Sequence, residues 1–152
     1  MRVVLDTNVL VRATQSHHGP ARELLRAFET EEHVLVLSQF ILAEVLRVLQ
    51  YPRLQARHGL TTAECFEFVQ LLHDLAEVVL LPANVDNVLV SDPDDNFVVQ
   101  TAVTGQADAL GTLDRHLRHP DVVDYCRRRQ IAVLTDVELL QQLRDSTDDP
   151  VS

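Results

Sequence analysis

The 152-residue chain has no lysine and no tryptophan, a single methionine, four glycines and two cysteines. With Trp absent and Gly scarce, the 46% apolar fraction rests largely on Leu and Val. That mixture suits buried strands and packed helices and excludes a glycine-rich β-barrel. Cys65 and Cys126 stand alone, without CxxC or zinc-like spacing, which argues against a disulfide framework and for a reduced, cytoplasmic setting. No apolar run approaches the roughly twenty residues a membrane span needs. The opening "MRVVLDTN" lacks the basic and long apolar regions of a signal peptide. Positive charge is short as well: 13 basic residues, every one Arg, face 23 acidic ones, for a formal charge of −10. A module that binds nucleic acid by neutralising phosphates needs the opposite balance. A metal-dependent enzyme does not, because divalent ions invert the local field.

What is present is an alternation of apolar runs and amphipathic stretches, with no internal repeat or Gly/Ser linker. Strands are expected at 2–6, 33–38, 77–82, 107–114 and 131–135. Between them, "HHGPARELLRAFE" reads as a helix with Pro20 in its first turn. "SQFILAEVLRVLQYP" reads as a helix capped by Ser38 and ending or bending near Pro52. Residues 61–76 form an amphipathic helix with Phe66, Val69, Leu72 and Phe68 as candidates for its inward face. "SDPDDN" (91–96) is an acidic loop leading into a helix that Gly105 terminates. A helical stretch around "RHLRHPDVVDYCRRRQ" is broken by Pro120, and a closing helix over "DVELLQQLRD" has Asp136 as its cap. Continuous apolar strands alternating with helices predict an α/β, three-layer doubly wound fold with a parallel sheet buried on both faces. One domain is expected over 1–145, with a disordered tail over 146–152.

Four acids stand out against this background. Asp6 interrupts "VVLDTNVLV", where an unpaired carboxylate at the mouth of a core is costly. Glu44 is the one carboxylate in the apolar helix "FILAEVLRVL". A pair with Arg47, three residues on, is the plain alternative, but such pairs contribute only about 0.2–0.5 kcal/mol. "SDPDDN" holds three Asp within four positions, where one turn or cap residue suffices. Asp114, after the fourth strand, taken alone is a turn residue. In a doubly wound sheet the ligand crevice lies beyond the carboxyl ends of the strands, and all four acids can face it. Oxygen-only donors of this kind suit Mg²⁺ or Mn²⁺.

In this order and spacing, "VVLDTNVLV", "SQFILAEVLRVL", "DPDDNFVVQTAV" and "ADALGTLDRHL" resemble the PIN-domain family over roughly residues 2–135, in particular the VapC-like toxin components of toxin–antitoxin pairs. The resemblance implies a Rossmann-like, roughly five-stranded parallel sheet and a Mg²⁺- or Mn²⁺-dependent endoribonuclease. Its metal-ligating and catalytic residues would be Asp6, Glu44, Asp95 and Asp114. Asn8, Ser38 and Thr112 match positions that support the acids, and Asp94 competes with Asp95 for the third place. In-line attack by water on an RNA phosphodiester would leave 5′-phosphate and 3′-hydroxyl ends. The expected partners are the RNA substrate, a small antitoxin with a basic segment, and a second copy of the chain. His116 stands where the family often carries a further acid. A catalytically inactive PIN-like module that binds protein or RNA is the alternative. A haloacid-dehalogenase-like phosphatase needs a second acid two residues after the first, where this chain has Asn8. "RRR" at 127–129 and Arg115/Arg118 are candidate RNA contacts, although such runs are commonly solvated helix faces. His17, His18 and His119 read as loop residues, and Cys65 as a core residue.

Overall fold

The computed structural model describes residues 1–82 and 93–148, apart from the side chains of 93–95 and 148. Its described strands form one parallel sheet: β1 (Arg2–Leu5), β2 (Val34–Ser38), β3 (Glu77–Val79), β4 (Ala109–Gly111) and β5 (Ala132–Leu134), in the order β3-β2-β1-β4-β5. The register sets Val3 against Leu35 on one side and against Ala109 on the other. Val3, Val4, Leu5, Val36, Leu37 and Leu110 are wholly buried, as expected of central strands covered on both faces. The chain order reverses between β1 and β4. In an open α/β sheet that switch point is where a ligand crevice opens.

The helices are α1 (Thr7–Arg12), α2 (Pro20–Ala27), α3 (Gln39–Leu49), α4 (Pro52–His58), α5 (Thr62–Leu75), α6 (Pro93–Thr104), α7 (Pro120–Arg127) and α8 (Asp136–Asp148). Two of these, α1 and α4, were not expected. The apolar run at the N-terminus is a strand only to Leu5. Asp6 then becomes the N-cap of α1, and Val9 and Leu10 donate their amides to its carbonyl. Pro52 does not merely end α3. It starts α4, with its fixed φ suiting the first helical position.

Other expectations move by a few residues. The third strand stops at Val79, and the fourth spans 109–111 rather than 107–114, so Asp114 lies three residues beyond it. The helix expected from 96 begins at Pro93, inside the acidic run. On α5 the buried residues are Cys65, Phe68 and Leu72, while Phe66 is 54% exposed. Positions 65, 68 and 72 share one helical face, and Phe66 lies a full residue's rotation away from Cys65. Asp136 does not cap α8. Thr135 and Glu138 do so reciprocally, with bonds of 2.9 and 3.2 Å. The closing helix continues to Asp148, so residues 146–148 of the expected tail are helical; 149–152 lie outside the described residues.

Two glycines are required by close approach. A Cβ on Gly105 would stand 2.4 Å from Val36 Cγ1, and one on Gly111 would stand 2.8 Å from Leu5 Cδ2 and 2.9 Å from Leu139 Cδ2. Gly105 follows the last residue of α6, as expected, and its missing side chain also lets the helix lie against the sheet. Gln106, at φ 52°, takes the left-handed conformation.

Candidate active site

The candidate site lies at the carboxyl ends of β1, β2 and β4. Asp6 follows β1 directly and is nearly buried. One carboxylate oxygen accepts the Thr7 amide at 2.7 Å and the other accepts the Thr112 hydroxyl at 2.8 Å. Thr112 is wholly buried just past β4, where its amide donates to Leu134 at 2.9 Å. Its hydroxyl also accepts the Asp114 amide at 3.0 Å. One threonine thus ties the Asp6 carboxylate to the main chain at Asp114. Asp114 is half-buried and its own carboxylate accepts the His116 amide at 2.8 Å. Asn8, exposed on α1, accepts the Leu113 amide at 3.5 Å and so holds the same loop weakly.

Burial pushes the Asp6 carboxyl up from 3.8 to about 6. The bonds from Thr112 and Thr7 pull it back down, and the charge of Asp114 pushes it further up. That last effect places the two acids in one electrostatic neighbourhood. Among the described residues, neither pairs with an arginine.

Ser38 closes β2 and caps α3, accepting the Ile41 amide at 3.4 Å. It also accepts the hydroxyl of Thr101 at 2.8 Å. Thr101 is wholly buried on α6 and was not singled out in the sequence; a lone hydroxyl in "FVVQTAV" was the available signal. Its bond to Ser38, together with stacked Phe40 and Phe97 at 4.0 Å, fixes α6 against α3 at the crevice. Glu44 lies on α3 and is half-buried, and neither it nor Arg47 lacks a partner. Asp94 and Asp95 occupy the first turn of α6, and their side chains lie outside the described part.

Can these residues hold a cation? An ionised carboxylate offers about four acceptor positions, and Asp6 uses two. Thr7 Oγ1, one residue on, is buried with no hydrogen-bond partner, so a further polar atom there is unspent. Oxygen donors, excess negative charge and unspent acceptors fit a hard divalent ion. Among the described residues, however, no three His, Cys, Asp or Glu side chains lie close enough to hold a metal. The described part of the donor set is Asp6 with Asp114.

The arginine run is already committed. Arg127 and Arg128 pair with Asp124 at 2.5 and 2.9 Å, and Arg129 stacks on Tyr125 with its guanidinium 3.5 Å from the ring centre. His119 caps α7 by accepting the Asp121 amide at 3.1 Å, and His116, His17 and His18 are exposed.

Fold and site together define an α/β protein with Asp6 and Asp114 side by side at the switch point of a parallel sheet. The chain belongs to the PIN domain family, whose model matches residues 2–116. Its fold is similar to a chain in the crystal structure of VapBC2 from Rickettsia felis bound to a DNA fragment from their promoter. The TM-score is 0.59 and the identity 14%, over 88% of this chain and 97% of that one. No curated protein matches the sequence. Among the described residues, no helix is long and apolar enough to cross a membrane.

Proposed function

We propose that this chain is a Mg²⁺- or Mn²⁺-dependent endoribonuclease, the toxin of a toxin–antitoxin pair. The observation that carries the reading is Asp6: a nearly buried carboxylate at the switch point, coupled to Asp114 through Thr112, with acceptor positions to spare. PIN domains are typically nucleases, and the VapBC2 likeness favours the toxin branch. Asp6, Glu44, Asp95 and Asp114 are the residues that would hold the cation. When bound, it would lower the pKa of a water and offset charge growing on a phosphoryl oxygen. Thr112 orients Asp6 and Asp114, Ser38 anchors the start of the Glu44 helix, Asn8 steadies the 113–114 loop, and Asp94 flanks the third ligand. A carboxylate held this way is turned toward the crevice before substrate arrives, so little reorganisation is left for the reaction.

The acidic crevice also suits a partner with a basic segment, which is the chemistry expected of an antitoxin. We further propose a homodimer acting in the cytoplasm. The test is cleavage of structured and unstructured RNA with Mn²⁺ and with EDTA, using wild type and Asp6→Asn. Metal-dependent cleavage that survives in the folded variant defeats the assignment.

The second reading is an inactive PIN-like module that binds protein or RNA. Titration with Mn²⁺ separates the two: a folded chain that takes up no Mn²⁺ supports the inactive module.

A further inference from the structure

Binding RNA is electrostatically awkward for this chain. A formal charge of −10 repels a polyanion, and Arg127, Arg128 and Arg129 are engaged by Asp124 and Tyr125. Phosphate neutralisation, the usual source of affinity for nucleic acid, is therefore weak here. Stacking of a base on an aromatic ring is a contact that the negative field does not oppose. It also accepts any base, because every base has a π face.

Phe40 and Phe97 are placed for that contact. Both are partly exposed. Neither belongs to the buried core or to the half-buried apolar residues packed against it. They lie on each other instead, with ring centres 4.0 Å apart and planes 11° from parallel. Aromatic pairs left to themselves prefer offset or edge-on arrangements at about 4.5–7 Å, so the surroundings hold these two nearly face to face. The Ser38–Thr101 bond does this by fixing the start of α3 to α6 at 2.8 Å. Phe40 also stands four residues before Glu44 on α3. Residues at that spacing share a helix face, with about 5–6 Å between their Cβ atoms. One nucleotide could thus set its phosphate at the acids and its base at the rings.

We propose that Phe40 and Phe97 form a stacking platform for a base of single-stranded RNA, beside the phosphate that is cut. The proposal takes its ligand from the nuclease reading and its site from the aromatic pair. The base adds a further layer to the existing stack.

The experiment titrates a hexanucleotide RNA containing 2-aminopurine, whose fluorescence falls when the base stacks. Full-length wild type is used in EDTA, and the Asp6→Asn variant in Mn²⁺. A strand of the same length without bases serves as competitor and reports phosphate contacts alone. Saturable quenching is expected, with the abasic strand competing poorly. Phe40→Ala and Phe97→Ala should each weaken binding about 5–150-fold, the range of base–aromatic stacking, and Phe40→Tyr and Phe97→Tyr, which keep the ring, should restore it. In cleavage with Mn²⁺ the Ala variants should raise KM with kcat little changed, as expected when binding common to substrate and transition state is lost. Absence of quenching under both conditions, equal competition by the abasic strand, or Tyr variants as weak as the Ala variants would overturn the platform. A fall in kcat at constant KM would make the rings structural and overturn it too. Base-dependent binding without any cleavage by the wild type would sink the nuclease reading and leave the platform standing; cleavage without base-dependent binding would do the reverse.

Discussion

The two edges of the sheet handle their acids in opposite ways. At the amino-terminal edge, Arg2 reaches from β1 across to β3 and meets both oxygens of Glu77 at 2.8 and 3.0 Å. Its Nε donates to the Gly105 carbonyl at 2.9 Å, and its amide donates to Asp108 at 2.8 Å. The Arg2 side chain holds the Glu77 carboxyl below its usual range. At the carboxyl-terminal edge, Asp6 and Asp114 are held by hydroxyls and amides alone among the described contacts, and Asp6 is pushed up to about 6. A matched acid is structural. An acid kept beside another, with acceptors unspent, destabilises the empty protein and favours whatever cation it meets.

The largest effect that would break this contrast comes from Asp6→Asn. Cleavage of RNA should fall by more than the 10–100-fold typical of groups that only support a metal ligand. Stability of the metal-free protein should move the other way. Because the folded carboxyl titrates at about 6 and the unfolded one at 3.8, ionising Asp6 favours the unfolded chain. The cost is absent below the unfolded value, grows as pH rises toward the folded one, and is constant above it. A shift of that size corresponds to about 3 kcal/mol. Urea unfolding in EDTA should therefore show the variant more stable at pH 8 and the difference gone below pH 4. A variant less stable at pH 8 would remove the burial argument for Asp6.

Thr112→Val keeps the shape and removes the hydroxyl that joins the two acids. Activity should fall about 10–100-fold, and the Asp6 carboxyl, followed by NMR, should titrate higher still, because the lost bond was pulling it down. An unchanged titration would mean that the Thr112 hydroxyl does not hold the Asp6 carboxylate. Gly111→Ala tests the backing of the crevice. The added methyl meets Leu5 and Leu139, and overpacking of this kind costs about 1–3 kcal/mol, measurable as a lower urea midpoint.

The smallest effect belongs to the other edge. Arg2→Met should cost about 0.2–1 kcal/mol for the partly exposed pair with Glu77, plus the bond to Gly105, and should leave RNA cleavage unchanged. The Glu77 share of that stability is present above the ordinary carboxylate value and is lost as pH falls through the lowered folded value. A large loss of cleavage in this variant would mean that the two edges are not independent.

Much of this was readable from residue order because it depends on local chemistry. The Ser38 cap followed from a hydroxyl before an apolar helical run. Pro20 marked a helix start, as Pro52 and Pro120 do in the structure. Other features depended on what lies opposite. Phe66 is apolar yet faces out, because Cys65, Phe68 and Leu72 already fill the inward face of α5. Gly105 was legible as the end of α6, but not the second demand on it, that its missing side chain accommodates Val36. Thr101 was passed over because nothing in "FVVQTAV" says that its hydroxyl meets Ser38, 63 residues earlier.

Sequence alone determined the class of this protein: apolar strands too continuous for a half-exposed sheet, helices between them, and acids at the ends where strands give way to helices. Those follow from backbone periodicity and from the cost of putting a carboxylate in an apolar run. Only the tertiary structure decided which acids meet. Parallel pairing of β1 with β4 brings residues 6 and 112 within one hydrogen bond although 106 positions separate them. Pairing of β1 with β2, and of β2 with β3, sets Arg2 against Glu77 at the opposite edge. No local rule assigns one acid a partner and leaves the other its spare acceptors, because that choice is made by which strand ends fold to the same side.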